Sequence, residues 1–487
     1  MRRSSLCTVL LLAACQREVG TVEVFLVKSP RADQDPLDPF LVARVRLRLV
    51  APGEEVRTAE FDYQPAGGGA LHDVPVGAGW VLTVEGLDAS GGVRSRGRSL
   101  PFQVSAGARQ LTLYLGRVGQ FSLSHASPRT ARAGHGAVEL SDGRMLLAGG
   151  TSALDALVGP GEPIDALRSA LLFDPGSASP AAEAEEDCTP GSDELCLGSA
   201  RAFHGTSLLA DGRVLMSGGE DRVSEEVLSS GELLDPDGRR FFAGPALGIA
   251  RAQHVTLTLP SGVLVVGGRS SVAGAMDEVE LLSDGTFLRL DPLAQPRRAA
   301  TAVLLDDGGL VLGGLDAAGL PVDAAAERFD AGAGRFLAEA RPARPRAFAS
   351  ASVLGDGRVL IAGGLTTPAC PMGCALPATA SIEAFDPQAH EFREIGTLAV
   401  PRWGHTATTL PDGTVLVVGG LGGNEFGGPV PQVERIDPST GTAHLQYTLT
   451  EPRAFHTTTL LGTGFVYVAG GIGAEGGALS SVEVLVP

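Results

Sequence analysis

Arginine, histidine and glutamate recur at fixed stations through most of this 487-residue chain, and these are residue types that bind metals, move protons and hold charged partners. Arg132, Arg201, Arg251, Arg297, Arg346, Arg402 and Arg453 each precede, by three residues, one of His135, His204, His254, His405 and His456, or Ala300 and Ala349. Downstream runs a glutamate series: Glu232, Glu280, Glu327, Glu383, Glu434 and Glu483. Five histidines at one station invite a metal reading. One residue per repeat at one station is read instead as packing or hydrogen bonding, because neighbouring units hold such rings too far apart for metal bonds of about 2 Å. The arginines and glutamates read as cross-strand pairs that neutralise each other's buried charge.

The elements that position these stations come from a repeat. One unit reads His405-Thr-Ala-Thr-Thr-Leu-Pro-Asp-Gly-Thr-Val-Leu-Val-Val-Gly419-Gly420. Gly-Gly pairs start at 149, 218, 267, 313, 363, 419 and 470, mostly about 50 residues apart. Within each unit a first strand ends at a turn such as Asp142-Gly143, Asp211-Gly212 or Asp412-Gly413, where positive φ is cheap. A Val/Leu-rich second strand runs to Gly-Gly. A third carries the glutamate, as in Glu383-Ala-Phe-Asp386-Pro387, and a fourth begins near Phe241, Phe287, Phe336 or Phe392. Four strands per unit make a propeller blade.

The period, the Gly-Gly pairs and the closing Asp-Pro strand resemble the kelch family, with its usual Trp and Tyr mostly replaced by Phe, Leu or Ala. The fold expected is all-β: a seven-bladed kelch-type β-propeller over residues 119–487, preceded by a small immunoglobulin-like or transthyretin-like β-sandwich over residues 15–117. The last unit ends at Pro487 after three strands. Phe241, Phe336 and Phe392 precede Arg251, Arg346 and Arg402 by ten residues, and Phe121 precedes Arg132 by eleven. Residues 119–126 are therefore expected to close blade seven and remove its open edge.

The sandwich expectation rests on alternation in Arg44-Val45-Arg46-Leu47-Arg48-Leu49, on candidate strands at Val22–Val27, Val81–Gly86 and Leu111–Leu115, and on the glycine-rich turns between them. About seven short strands in this span suit such a module. It holds no cluster of His, Cys and carboxylate, so its expected role is a spacer.

At the N-terminus, Met1-Arg2-Arg3 is a basic head and Leu6 to Ala14 is an apolar run too short to span a bilayer. Leu12-Ala13-Ala14-Cys15 resembles the lipobox of bacterial lipoproteins. That resemblance implies a signal peptide over residues 1–14 and lipidation at Cys15, with several acyl chains holding the chain firmly to the membrane. Gln16 is not the Asp of an inner-membrane retention signal, which points to the outer membrane, periplasmic or surface-exposed.

For an exported chain, Cys188–Cys196 and Cys370–Cys374 are expected to form two local disulfides. A four-cysteine zinc site is the alternative. The repeat assigns Cys188 and Cys196 to the loop between strands three and four of blade one, and Cys370 and Cys374 to the loop between strands two and three of blade five. Loops at those two positions leave opposite faces of the ring, which disfavours zinc.

Function is expected on the variable loops between strands two and three, where residues 151–168, 365–380 and 421–428 are long or glycine-rich. Asn424, Glu425 and Phe426 are the candidate ligand contacts, for a protein or glycan partner. The net charge of −18 excludes a nucleic-acid partner on bulk electrostatics. No catalytic residue, metal or cofactor is assigned. Kelch-like propellers include copper-radical oxidases of the galactose-oxidase class, which need two Tyr, two His and a Cys crosslinked to one Tyr. With only Tyr63, Tyr114, Tyr447 and Tyr467, and cysteines beyond Cys15 paired locally, the chain lacks that set, so an oxidase is the disfavoured alternative.

Overall fold

In the computed structural model of the chain, the described residues are 18–63, 69–124, 127–152, 165–177, 179–184, 188, 195–221, 226–367 and 375–487. They form an all-β molecule: a sandwich followed by a seven-bladed propeller.

In the sandwich, Val19–Val27 lies between Gly69–Pro75, antiparallel, and Gly107–Tyr114, parallel. The opposing sheet runs Arg57–Asp62, Arg44–Val50, Gly77–Leu87, Val93–Arg98 and Gly116–Arg117. Alternation in Arg44–Val50 turns Val45, Leu47 and Leu49 into the core, where they meet Val22, Val24, Trp80, Leu82 and Val84. The arginines of the same strand face outward, and Arg46 lies between Glu60 and Glu85.

Each blade is a four-stranded antiparallel sheet. Blade six, for example, is Thr406–Thr409, Val415–Val418, Gln432–Asp437 and Thr442–Thr448. In every blade the second strand is buried and mostly apolar on both sides because both faces of the sheet are covered by neighbouring blades. Val415, Leu416, Val417 and Val418 are all fully buried. The core is therefore a set of layers between blades. Between blades six and seven, Leu416 and Val418 meet Val466 and Val468.

Blade seven is Thr457–Leu460, Val466–Ala469 and Val482–Leu485, with Phe121–Leu123 as its outer strand. The register is antiparallel, Phe121 opposite Leu485 and Leu123 opposite Glu483. Phe121 is buried in the layer between blades six and seven and meets Tyr447 edge-on, with ring centroids 6.2 Å apart. The first described residue of the sandwich and its docked end lie at opposite ends of Val19–Val27. At about 3.3 Å per residue that strand spans roughly 26 Å.

The sandwich packs directly on the ring. Tyr114 joins Phe173, Tyr467 and Val484 in one buried cluster, and its backbone N–H donates to the Gly176 carbonyl at 2.7 Å. Gln34 accepts from the Leu123 N–H through Oε1 and donates to Thr450 Oγ1 through Nε2. Leu100 lies against Gly143 and Gly176, in the strand 1–2 and strand 3–4 turns of blade one. The docking site is thus the turn face of blade one and the outer edge of blade seven.

One expectation about blade one is corrected. Its third strand, Ala170–Asp174, turns at Pro175-Gly176-Ser177 and pairs with Ser179–Glu183 as the fourth. Cys188 and Cys196 therefore follow the fourth strand, in the connection to blade two, and not between strands three and four. That connection leaves the ring on the same side as the strand 2–3 loops, so the opposite-face argument against zinc does not hold. Cys188 and Cys196 are joined in a disulfide and buried in the layer between blades one and two, so their thiolates are not free to bind a metal. Cys15, Cys370 and Cys374 lie outside the described residues.

Candidate functional site: the axial mouth of the loop face

The repeated stations build the floor of this face. Each arginine is fully buried or nearly so. Its guanidinium donates to the carbonyl of the first glycine in its own blade's Gly-Gly pair, as in Arg132 to Gly149 at 2.9 Å, Arg402 to Gly419 at 2.9 Å and Arg453 to Gly470 at 2.8 Å. Its backbone carbonyl accepts from the second glycine of the preceding blade. Gly150 donates to Arg201, Gly420 to Arg453 and, around the closure, Gly471 to Arg132 at 2.9 Å.

This geometry explains why both positions are glycine. Both have positive φ in every blade, near 60° and 100° in Gly149 and Gly150 as elsewhere (63° and 94°). A Cβ on Gly470 would stand 2.3 Å from the Arg132 carbonyl and 2.9 Å from the His135 ring.

From blade two onward the glutamates complete the station. Arg201–Glu232, Arg251–Glu280, Arg297–Glu327, Arg346–Glu383, Arg402–Glu434 and Arg453–Glu483 are buried ion pairs. Each carboxylate also accepts one or two backbone N–H groups from the segment leading into its blade, as Glu434 does from Ala399 and Val400. Charge and hydrogen-bonding capacity are matched together, which a buried pair requires. In blade one Leu171 holds the glutamate's register, opposite Leu147. There Glu183 of the fourth strand accepts the Arg129 N–H instead.

The histidines are bonded between blades. His135 Nε2 lies 2.9 Å from Thr457 Oγ1, His456 Nε2 3.0 Å from Thr406 Oγ1, and His405 Nε2 2.8 Å from Ser350 Oγ. His254 reaches Ser217 Oγ at 3.4 Å. His204 is the exception, its Nε2 having no partner among the described residues. The preceding blade presents Gly136 and Ala148 where other blades offer a hydroxyl. Burial, reinforced by the neighbouring arginine, pushes His135, His254 and His405 down to about 3 and His204 and His456 well below the usual imidazole range. These are neutral structural rings. Among the described residues no group of three or more His, Cys, Asp or Glu is placed to hold a metal.

The residue before each histidine station was not singled out from sequence, yet it makes the mouth. Gly134, Phe203, Gln253, Ala299, Phe348, Gly404 and Phe455 all have φ between 49° and 62°. Each N–H donates to the carbonyl of its counterpart in the preceding blade: Phe203 to Gly134, Gln253 to Phe203, Ala299 to Gln253, Phe348 to Ala299, Gly404 to Phe348, Phe455 to Gly404 and Gly134 to Phe455. The result is a closed belt of seven backbone hydrogen bonds around the axis, at 2.9–3.5 Å. Left-handed backbone at five non-glycine residues costs roughly 1 kcal/mol each. The belt supplies the compensation by satisfying both backbone groups at every station.

The belt rims a cavity of about 330 Å³ lined by Phe203, Gln253, Ala299, Phe348, Phe455 and the histidine station. Phe348, Trp403 and Phe455 form an aromatic triangle with centroids 5.5–5.8 Å apart.

Of the candidates read from sequence, Asn424 is structural in its contacts. Its carbonyl accepts the Trp403 indole N–H at 3.0 Å and its Oδ1 accepts the Phe426 N–H at 2.9 Å, folding the loop over the aromatic triangle. Glu425 is half-buried, and its N–H donates to the Leu376 carbonyl. Phe426 stands 79% exposed at the loop tip.

The tyrosines are scattered. Tyr467 is buried with its hydroxyl on the Pro175 carbonyl, Tyr114 sits at the sandwich interface, Tyr447 lies on an outer strand, and Tyr63 packs on the sandwich core. None lines the axial cavity. The donor set for a copper-radical centre is therefore not assembled among the described residues.

No protein-family profile and no curated protein matches the chain. Solved structures do. A fungal alcohol oxidase of the AA5 family in complex with copper aligns at 17% identity over 74% of this chain and 75% of its own, with a TM-score of 0.56. The structure of YjhT aligns at 13% identity over 66% of this chain and 99% of its own, with a TM-score of 0.48. At these identities the likeness to the oxidase establishes a shared propeller fold.

Proposed function

We propose that this chain is a lipid-anchored protein of the bacterial cell envelope, in which the propeller binds a protein or glycan partner through its loop face. The observation that carries the reading is the division of faces. The sandwich occupies the turn face of blade one and the edge of blade seven, whereas the axial mouth and the exposed Phe426 loop lie on the other face. An anchor at Cys15 would enter the sandwich at the end of Val19–Val27 far from the ring and hold the loop face away from the bilayer. The buried disulfide Cys188–Cys196 fits an oxidising compartment outside the cytoplasm. Gln16, in place of the Asp of an inner-membrane retention signal, favours the outer membrane.

The anchor is tested by labelled palmitate incorporation. The wild-type chain should take up label and partition into detergent, and Cys15→Ala should do neither. Label in Cys15→Ala would overturn the assignment.

The shared fold with a copper oxidase supports a second reading, a carbohydrate-active oxidase. The scattered tyrosines and the neutral, hydroxyl-bonded histidines count against it. Oxygen uptake on sugars after copper loading would establish it, and none is expected.

A further inference from the structure

Gln253 gives the axial mouth a defined polarity. Arg298 donates through Nη1 to Gln253 Oε1 at 2.9 Å. A guanidinium carries only donors, so this contact fixes which end of the amide is oxygen. The other end, Nε2, has no protein partner among the described residues, and Gln253 lines the cavity. The cavity wall therefore offers N–H donors at this point.

The remaining walls are apolar or neutral. Phe203, Phe348 and Phe455 supply aromatic surface, and Ala299, Ala300 and Ala349 leave room on the side of blades four and five. The station that carries phenylalanine in blades two, five and seven carries only Ala299 in blade four, next to Gln253 in blade three. The histidines beneath are neutral above pH 4, since burial holds His254 and His405 at about 3. Among the described residues no charged side chain lines the cavity. A carboxylate there would lose its hydration for a single neutral amide, which is unfavourable. A ring with one accepting oxygen meets an aromatic wall and an N–H donor.

We propose that the axial mouth is a binding site for a small neutral ring bearing a carbonyl oxygen, whether a free molecule or a residue at the tip of a partner, with Gln253 Nε2 donating to that oxygen. The site deepens the loop-face reading and rests on it.

The test uses benzamide as the probe and Trp403 as the reporter. Trp403 belongs to the aromatic triangle, and the only other tryptophan, Trp80, is buried in the sandwich core. In Trp80→Phe, benzamide should change the Trp403 emission saturably, with a Kd of about 0.1–10 mM for so small a ring. Gln253→Met keeps the length of the side chain but carries neither N–H donors nor a carboxylate that could accept from the probe's own amide, and should weaken benzamide at least tenfold. Ala299→Phe places at this station the side chain that three other blades already carry, and should abolish binding by filling the mouth. Thermal melts of all three proteins report whether each variant is folded.

Benzoate should bind more weakly than benzamide. No saturable change in the folded protein, equal binding by folded Gln253→Met, or tighter binding of benzoate overturns the proposal. If the mouth fails in this way while loop variants such as Phe426→Ser still abolish partner capture, the loop-face reading stands without it.

Discussion

The backbone N–H of Gly134 donates to the carbonyl of Phe455, 3.2 Å away, and so joins the first blade to the last without a side chain. It is one link of the axial belt, and the belt sets requirements opposite to those of ordinary strand starts. Every station must be left-handed whatever its residue. Replacing Ala299 by Gly should therefore stabilise the protein, by roughly 1 kcal/mol, because the strained φ of 49° becomes free. Gly134→Ala should destabilise it, since the new Cβ would stand 2.7 Å from the Phe203 ring. Denaturant unfolding of both variants checks the pair of signs.

The buried ion pairs predict large one-sided losses. Arg402 and Glu434 are both fully buried, and Glu434 also holds the N–H groups of Ala399 and Val400. Glu434→Gln leaves the guanidinium without its counter-charge and should cost about 3 kcal/mol. Calorimetry should show the loss while benzamide binding in the folded protein is unchanged.

His204 predicts a gain. Its Nε2 is buried with no partner among the described residues, and the missing hydroxyl is at Ala148, the counterpart of the Ser217 that reaches His254. Ala148→Ser should satisfy His204 and raise stability by about 1 kcal/mol. A lower melting temperature would count against the assignment of that station.

Acid should destabilise the ring through the same histidines. Their folded pKa values lie below the unfolded value of 6.5, at about 3 for His135, His254 and His405. The stability they contribute is therefore complete above pH 6.5 and is lost as pH falls toward 3, because only the unfolded chain takes up protons in that window. Each such histidine contributes a slope of about 1.4 kcal/mol per pH unit there. Melting temperatures from pH 7 to pH 4 should fall, and less steeply in His405→Gln.

Much of this architecture could be read directly from residue order. Gly-Gly followed by a glutamate strand, with Asp-Gly turns between apolar runs, needs particular backbone angles at particular places, and a residue such as Gly413, at φ 83°, advertises them. The Arg–Glu pairs were equally legible, because two charge series at constant spacing have few other ways to be buried. The belt was not. It is made of backbone groups, and Phe203, Gln253 or Ala299 carries no sign of left-handed φ. The fourth strand of blade one is not legible either: Ser179–Glu183 is Ser-Pro-Ala-Ala-Glu, without the aromatic that marks the same strand at Phe241 or Phe392, so residue order alone puts Cys188 on the wrong side of it. Asn424 stands in the glycine-rich blade-six loop that marks it as a contact candidate, and its bonds fold the loop that exposes Phe426.

If recognition belongs to the loop face, the two faces of the ring must differ in what they retain. The full chain and two variants, Phe426→Ser on the loop face and Phe242→Ser on the turn face, would be immobilised and the material retained from a detergent extract of the envelope quantified. Both side chains are exposed, at 79% and 40%, so neither change should disturb the fold. The expected result is a retained partner that Phe426→Ser loses and Phe242→Ser keeps. Loss in Phe242→Ser with retention in Phe426→Ser would contradict it.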